Sequence, residues 1–112
     1  MGKQISIAYY LEASAGSEGD VTIYTVEAAR KFKCTSCRIQ WQKDSAFELR
    51  LYLKHGEYQF APKSGYYASD GGNLEDRFEE DFSSGDRLIL HYKNTNTSTT
   101  RKALIIVRGY LE

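Results

Sequence analysis

The chain has 112 residues, 41% of them hydrophobic and 27% charged, a balance that suits one soluble globular domain and excludes a disordered segment. Fifteen Lys and Arg offset fifteen Asp and Glu, so net charge is zero, which argues against a general binder of nucleic acid or anionic membrane. No apolar run approaches the ~18 residues of a membrane-spanning helix.

The first ten residues, "MGKQISIAYY", lack the apolar core and small-residue cleavage site of a signal peptide. The expected location is the cytoplasm, or the particle of a virus assembled there. Gly2 and Ser6 meet the formal requirement for myristoylation, but "KQISIAYYL" alternates like a strand, with Ile5, Ile7, Tyr9 and Leu11 on one face. The Gly/Ser-rich "EASAGSEGD" then reads as a loop and "VTIYTV" as a second short strand.

Next comes "KCTSCR", which holds the only two cysteines, Cys34 and Cys37. A reactive Cys-x-x-Cys pair has its first cysteine at a helix N-terminus near cationic groups, which lower the thiol pKa. Here "RIQWQ" follows, and Cys37, Ile39 and Trp41 alternate as a strand. A structural zinc needs four ligands, and the two histidines, His55 and His91, lie far away in sequence. The thiols are therefore expected to be packing residues in a strand, where a straight backbone would point them to opposite faces. Arg30, Lys31, Lys33, Arg38 and Lys43 interleave with Phe32 and Trp41, a pattern found on single-strand-binding surfaces, but both aromatics suit a core equally well.

In "FELRLYLK", Phe47, Leu49, Leu51 and Leu53 alternate with Glu48, Arg50, Tyr52 and Lys54, which predicts a half-buried antiparallel strand with the first set inward. "KHGE" supplies a hairpin turn with Gly56 at positive φ, leading into "EYQFA". Residues 63–73 form a Gly-containing loop. Beyond it Leu74, Phe78 and Phe82 recur every fourth residue, which predicts a short helix over about 74–82 capped by Asn73. Six acidic residues between 75 and 86 would crowd a strand. "RLILHYKN" places Leu88, Leu90 and Tyr92 inward. "ALIIV" in the last segment is apolar on both faces, so that strand belongs in the middle of a sheet.

Together these elements predict an all-β antiparallel sandwich of seven or eight short strands, jelly-roll-like, in a single domain over 1–112. Asp70, Asn73, Glu75 and Asp76 are weak candidates for a hard cation, without EF-hand spacing, so no metal is expected. Neither histidine sits in a catalytic motif, so no enzyme activity and no cofactor are expected. Tyr66 and Tyr67, adjacent in a loop, cannot both be buried, and an exposed Tyr is a low-entropy contact surface.

The candidate ligand- or partner-binding residues are thus Tyr66, Tyr67, Tyr52 and Arg50. The expected function is a structural or assembly module acting on itself as a homo-oligomer, or on another protein. The alternative is a carbohydrate- or small-ligand-binding module built on the loop tyrosines. The basic block 30–43 and the acidic block 75–86 would orient such self-association if they lay on opposite flanks, and would cancel if they lay on neighbouring strands.

Overall fold

A computed structural model describes residues 2–112. It contains eight strands: β1 Lys3–Ala13, β2 Glu18–Thr25, β3 Phe32–Trp41, β4 Leu49–His55, β5 Tyr58–Ala61, β6 Asn73–Phe82, β7 Arg87–Asn94 and β8 Arg101–Leu111. They form two four-stranded sheets, ordered β1-β8-β3-β6 and β2-β7-β4-β5, with every neighbouring pair antiparallel. Six of the seven connections cross from one sheet to the other, and only the β4–β5 hairpin stays within a sheet. This is an eight-stranded jelly-roll sandwich. Among the described residues no helix is long and apolar enough to cross a membrane.

The core lies between the sheets, where inward side chains meet with period two. Trp41, Phe32, Phe82, Ile39, Leu49, Leu51, Leu53, Leu88, Leu90, Ile105 and Val107 are all buried there. Trp41 donates its Nε1–H to the Leu49 carbonyl at 3.0 Å, so its one polar atom is satisfied inside. Phe32 and Trp41 lie in the core, so neither is a surface on which bases could stack. β8 runs between β1 and β3, as the apolar "ALIIV" run requires.

Two expectations about the strands need correction first. Residues 73–82 form an edge strand, not a helix. The acidic side chains are accommodated because the strand divides them between its faces. Outward, Glu75 and Asp81 stand opposite Arg38 and Lys33 of β3. Inward, Asp76 accepts the Tyr67 hydroxyl at 2.5 Å, while Glu80 lies 2.7 Å from His55 Nδ1 and also accepts the Tyr58 hydroxyl. Phe47 is not a core residue. It is 62% exposed in a turn where Asp44, Ala46 and Phe47 all have positive φ. That turn is pinned by the amides of Ala46 and Phe47, which donate to Asp70 Oδ1 at 2.8 Å and to the Ser69 carbonyl at 3.2 Å, so β4 begins only at Leu49.

Cys34 and Cys37 are both buried and free, not on opposite faces. Ser36 and Cys34 oppose the consecutive residues Arg108 and Gly109 of β8, so Thr35 is an extra residue, a β-bulge. The bulge turns both thiols into the core, and Thr35 Oγ1 donates to the Arg108 carbonyl at 3.3 Å. Burial pushes the Cys37 thiol up to about 12 and that of Cys34 higher still, the reverse of a reactive cysteine.

Candidate functional site

The four sequence-predicted contact residues separate into three that meet and one that does not. Arg50 and Tyr52 alternate on the outward face of β4, because Leu49, Leu51 and Leu53 take the inward positions. Tyr66 reaches the same face from the β5–β6 loop, and the Arg50 guanidinium lies 4.7 Å from its ring centroid. Tyr67 turns the other way. Its backbone pairs with Leu51 in an isolated bridge, its ring is buried, and its hydroxyl is committed to Asp76. Burial, then the Asp76 hydrogen bond, hold that phenol far above its ordinary pKa, so Tyr67 is structural.

Arg50, Tyr52 and Tyr66, with Glu18, His91 and Lys93, line a shallow hollow of about 130 Å³ on the β2-β7-β4-β5 sheet. His91 stacks on Tyr52 at 4.4 Å between centroids. Its Nδ1 lies 2.7 Å from Asp20 Oδ1 and its Nε2 lies 3.0 Å from Glu18 Oε2. Lys54 donates to the other Asp20 oxygen at 2.8 Å. Burial pushes the Asp20 carboxyl up, but hydrogen bonds from Lys54 and His91 outweigh it and hold the group below the ordinary carboxylate range. Both carboxylates on β2 thus engage His91, although Glu18 itself stands directly opposite Lys93. Arg50 makes no hydrogen bond or ion pair with any described residue, and its Nε is buried without a partner. Lys93 stands directly opposite it across the β4–β7 ladder. Two cations therefore face one another at one end of the hollow.

The His91 cluster carries no sequence signal, because Glu18 and Asp20 lie more than seventy residues away in the chain. The same holds for His55, whose Nε2 lies 2.8 Å from Asp86 Oδ2 and whose ring stacks on Phe82 at 3.9 Å. Asp70, Asn73, Glu75 and Asp76 are not brought together. Asp70 caps the 43–48 turn, and Glu75 and Asp76 point to opposite faces of β6. No cluster of His, Cys, Asp and Glu among the described residues could hold a metal ion.

The other sheet presents a different surface. On the outward face of β8, Leu104 and Ile106 stand beside Tyr10 and Ala8 of β1, with Gln40 and Arg38 of β3 on the far side. Tyr10 is 57% exposed and Leu104 36%. β1 is also an edge strand, and from Gln4 to Leu11 it carries no charge, glycine or proline. The two charge blocks do not supply complementary flanks. The parts of them on β3 and β6 lie on neighbouring strands, with Lys33 opposite Asp81 and Arg38 opposite Glu75, so they oppose each other within one subunit.

No protein-family model matches the sequence, and no curated protein matches it. Solved structures do match in fold. The PRD1 vertex protein P5 is 10% identical with a TM-score of 0.61, over 96% of this chain and 95% of that one. A chain of the acidic stable capsid structure of Helicobacter pylori bacteriophage KHP30 is 8% identical with a TM-score of 0.56, over 97% and 93% respectively. The CBM36-1 domain of a multidomain xylanase from the hindgut metagenome of Trinervitermes trinervoides is 14% identical with a TM-score of 0.56, over 96% of both chains. At these identities the likeness is one of fold. It places the chain among jelly-roll β-sandwiches that include capsid chains and a carbohydrate-binding module.

Proposed function

We propose that the chain is a non-enzymatic structural module that assembles with copies of itself through the outward face of β1, β8 and β3, within a particle such as a virus capsid. The carrying observation is the outward apolar stripe of Leu104, Ile106 and Tyr10. The central position of β8 satisfies its backbone, but it explains nothing about apolar side chains on the solvent side, where polar residues would serve equally well. A second copy is the fitting occupant, because the surrounding charges are of both signs: Lys102, Arg108 and Arg38 alternate with Glu12 and Glu75. The uncharged β1 edge next to the stripe adds unpaired backbone groups of the kind other chains pair with. The fold shared with capsid and vertex chains supports the same use. The test is the variant Leu104→Asp with Ile106→Lys, followed by size-exclusion chromatography with light scattering. The wild type elutes as an oligomer and the variant as a folded monomer. Equal masses would overturn the proposal.

A second use is favoured by the convergence of Arg50, Tyr52 and Tyr66 on one hollow of the opposite sheet, away from the apolar stripe. That hollow suits a carbohydrate or other small ligand, and the fold shared with a carbohydrate-binding module supports it.

A further inference from the structure

We propose that the hollow takes an acidic sugar, a saccharide unit bearing a carboxylate, with Arg50 as its anion partner and Tyr66 as the surface against which the sugar ring lies. The inference rests on the ligand-binding use of this hollow and names its ligand class. Three observations carry it. Arg50 is half-buried yet makes no hydrogen bond or ion pair with any described residue, and its Nε is fully covered without an acceptor. Its Nη groups have no protein partner and are not covered as Nε is, so an incoming carboxylate can reach them and form charge-assisted hydrogen bonds. Lys93 stands between Arg50 on β4 and Glu18 on β2, so Arg50 faces a like charge and lacks the acid that Lys93 has across from it. The carboxylates near enough to serve are already engaged: Glu18 by His91, and Asp20 by His91 and Lys54. Arg50 and Lys93 thus both face the hollow, and of the acids beside them Glu18 stands on their rung, opposite Lys93, with its carboxylate reaching His91.

The remaining lining fits a polyhydroxylated ring. Tyr66 is 49% exposed and is held in place by Arg50, so a ring can pack on it at little entropic cost. Tyr52 is fixed by its stack on His91. Glu18 can accept and Lys93 can donate hydrogen bonds to hydroxyls at the rim. An acidic peptide is disfavoured by the backbone. β4 and β7 are inner strands with partners on both sides, so an extended peptide finds no open edge under the hollow.

Isothermal titration with oligogalacturonate, neutral xylo-oligosaccharide, inorganic phosphate and oligoglutamate tests the assignment, on the wild type and on Arg50→Gln, Lys93→Gln and Tyr66→Ala. Circular dichroism checks that each variant is folded. Oligogalacturonate is expected to bind, more weakly as salt rises, and to lose roughly 10- to 100-fold in affinity in Arg50→Gln, the worth of a charge-assisted hydrogen-bonded contact. Lys93→Gln should cost less, and Tyr66→Ala should weaken binding without changing its salt dependence. Binding of the neutral sugar as tightly as the acidic one would overturn the acidic assignment and leave ligand binding at the hollow standing. Binding of phosphate or oligoglutamate equal to the uronate, or uronate binding untouched by Arg50→Gln, would overturn it too. Failure of all four ligands to bind would remove both the acidic assignment and the ligand-binding use.

Discussion

Gly109→Ala probes the fit between β3 and β8 at the bulge. Gly109 is buried, opposite Cys34 on β3 and Ile5 on β1, and its φ is ordinary, so the substitution carries no left-handed backbone strain. Space is the constraint. A Cβ at position 109 would overlap the Lys33 carbonyl oxygen, and it would lie 2.7 and 2.9 Å from Cε1 and Cζ of the Phe32 ring. A flexible side-chain tip could swing aside, but here the nearest obstacle is backbone in the central ladder of the sheet. Phe32 is 1% exposed, with Tyr24 at 5.3 Å and Phe82 at 5.9 Å between ring centroids, so its ring cannot retreat without displacing them. Overpacking a tight core costs about 1–3 kcal/mol, and relief through a backbone shift puts this site at about 3 kcal/mol or above. For a chain of this size each 1 kcal/mol lowers Tm by about 4 °C, so thermal unfolding should drop by more than about 10 °C. A variant within about 0.5 kcal/mol of the wild type in urea unfolding would refute this packing at the bulge.

Other outcomes follow from the same structure. Leu51→Ala removes three carbons from a side chain with 0% exposure and should cost about 2–5 kcal/mol in chemical denaturation, whereas a cost below about 0.5 kcal/mol would place Leu51 outside the core. Because burial raises both thiols, Cys34 and Cys37 should resist a thiol-titrating disulfide reagent in native protein at pH 8 and react together once denatured; rapid native labelling would contradict their burial. Hydrogen bonds hold Glu48 and Asp86 below the ordinary carboxylate range, the first through Asn96 and Arg101, the second through the Ser83 amide and His55. Asp20 is lowered too, and a lowered folded pKa means stability present above the unfolded value of about 4 and lost as pH falls through the folded one. Acid unfolding should therefore set in below about pH 4, and Asp20→Asn should make that limb shallower; an unchanged acid limb would deny Asp20 a role.

Period-two alternation revealed most of this fold, because a half-buried strand writes its two faces into the sequence one residue at a time. β1, β4 from Leu49 and β8 follow that rule. β6 defeated it because a four-residue spacing of Leu74, Phe78 and Phe82 is even, and so fits a strand face as well as a helix face. What decided between them lies elsewhere in the chain: the cations of β3 opposite its outer carboxylates, and the hydroxyls and imidazole that receive its inner ones. Phe47 misled for a similar reason, since Ser69 and Asp70 draw its turn away from the strand it continues in sequence. A bulge is one extra residue, so the facing of Cys34 and Cys37 depended on a register set by pairing with β8 and β6, far away in the chain. At the hollow, neighbouring positions sufficed to single out Arg50 and Tyr52 together with Tyr66. The roles of Glu18, Asp20, His91 and Lys93 required the pairing of β2 and β4 with β7, which joins residues on opposite sides of the chain's midpoint.

Self-association is tested most directly by sedimentation equilibrium of the wild-type protein from about 1 to ~100 μM, a range bracketing the affinity that corresponds to about −8 kcal/mol. Assembly through the β1-β8-β3 face predicts a mass that rises with concentration to a multiple of the 12.8 kDa chain. A single species of 12.8 kDa across the whole range would contradict it.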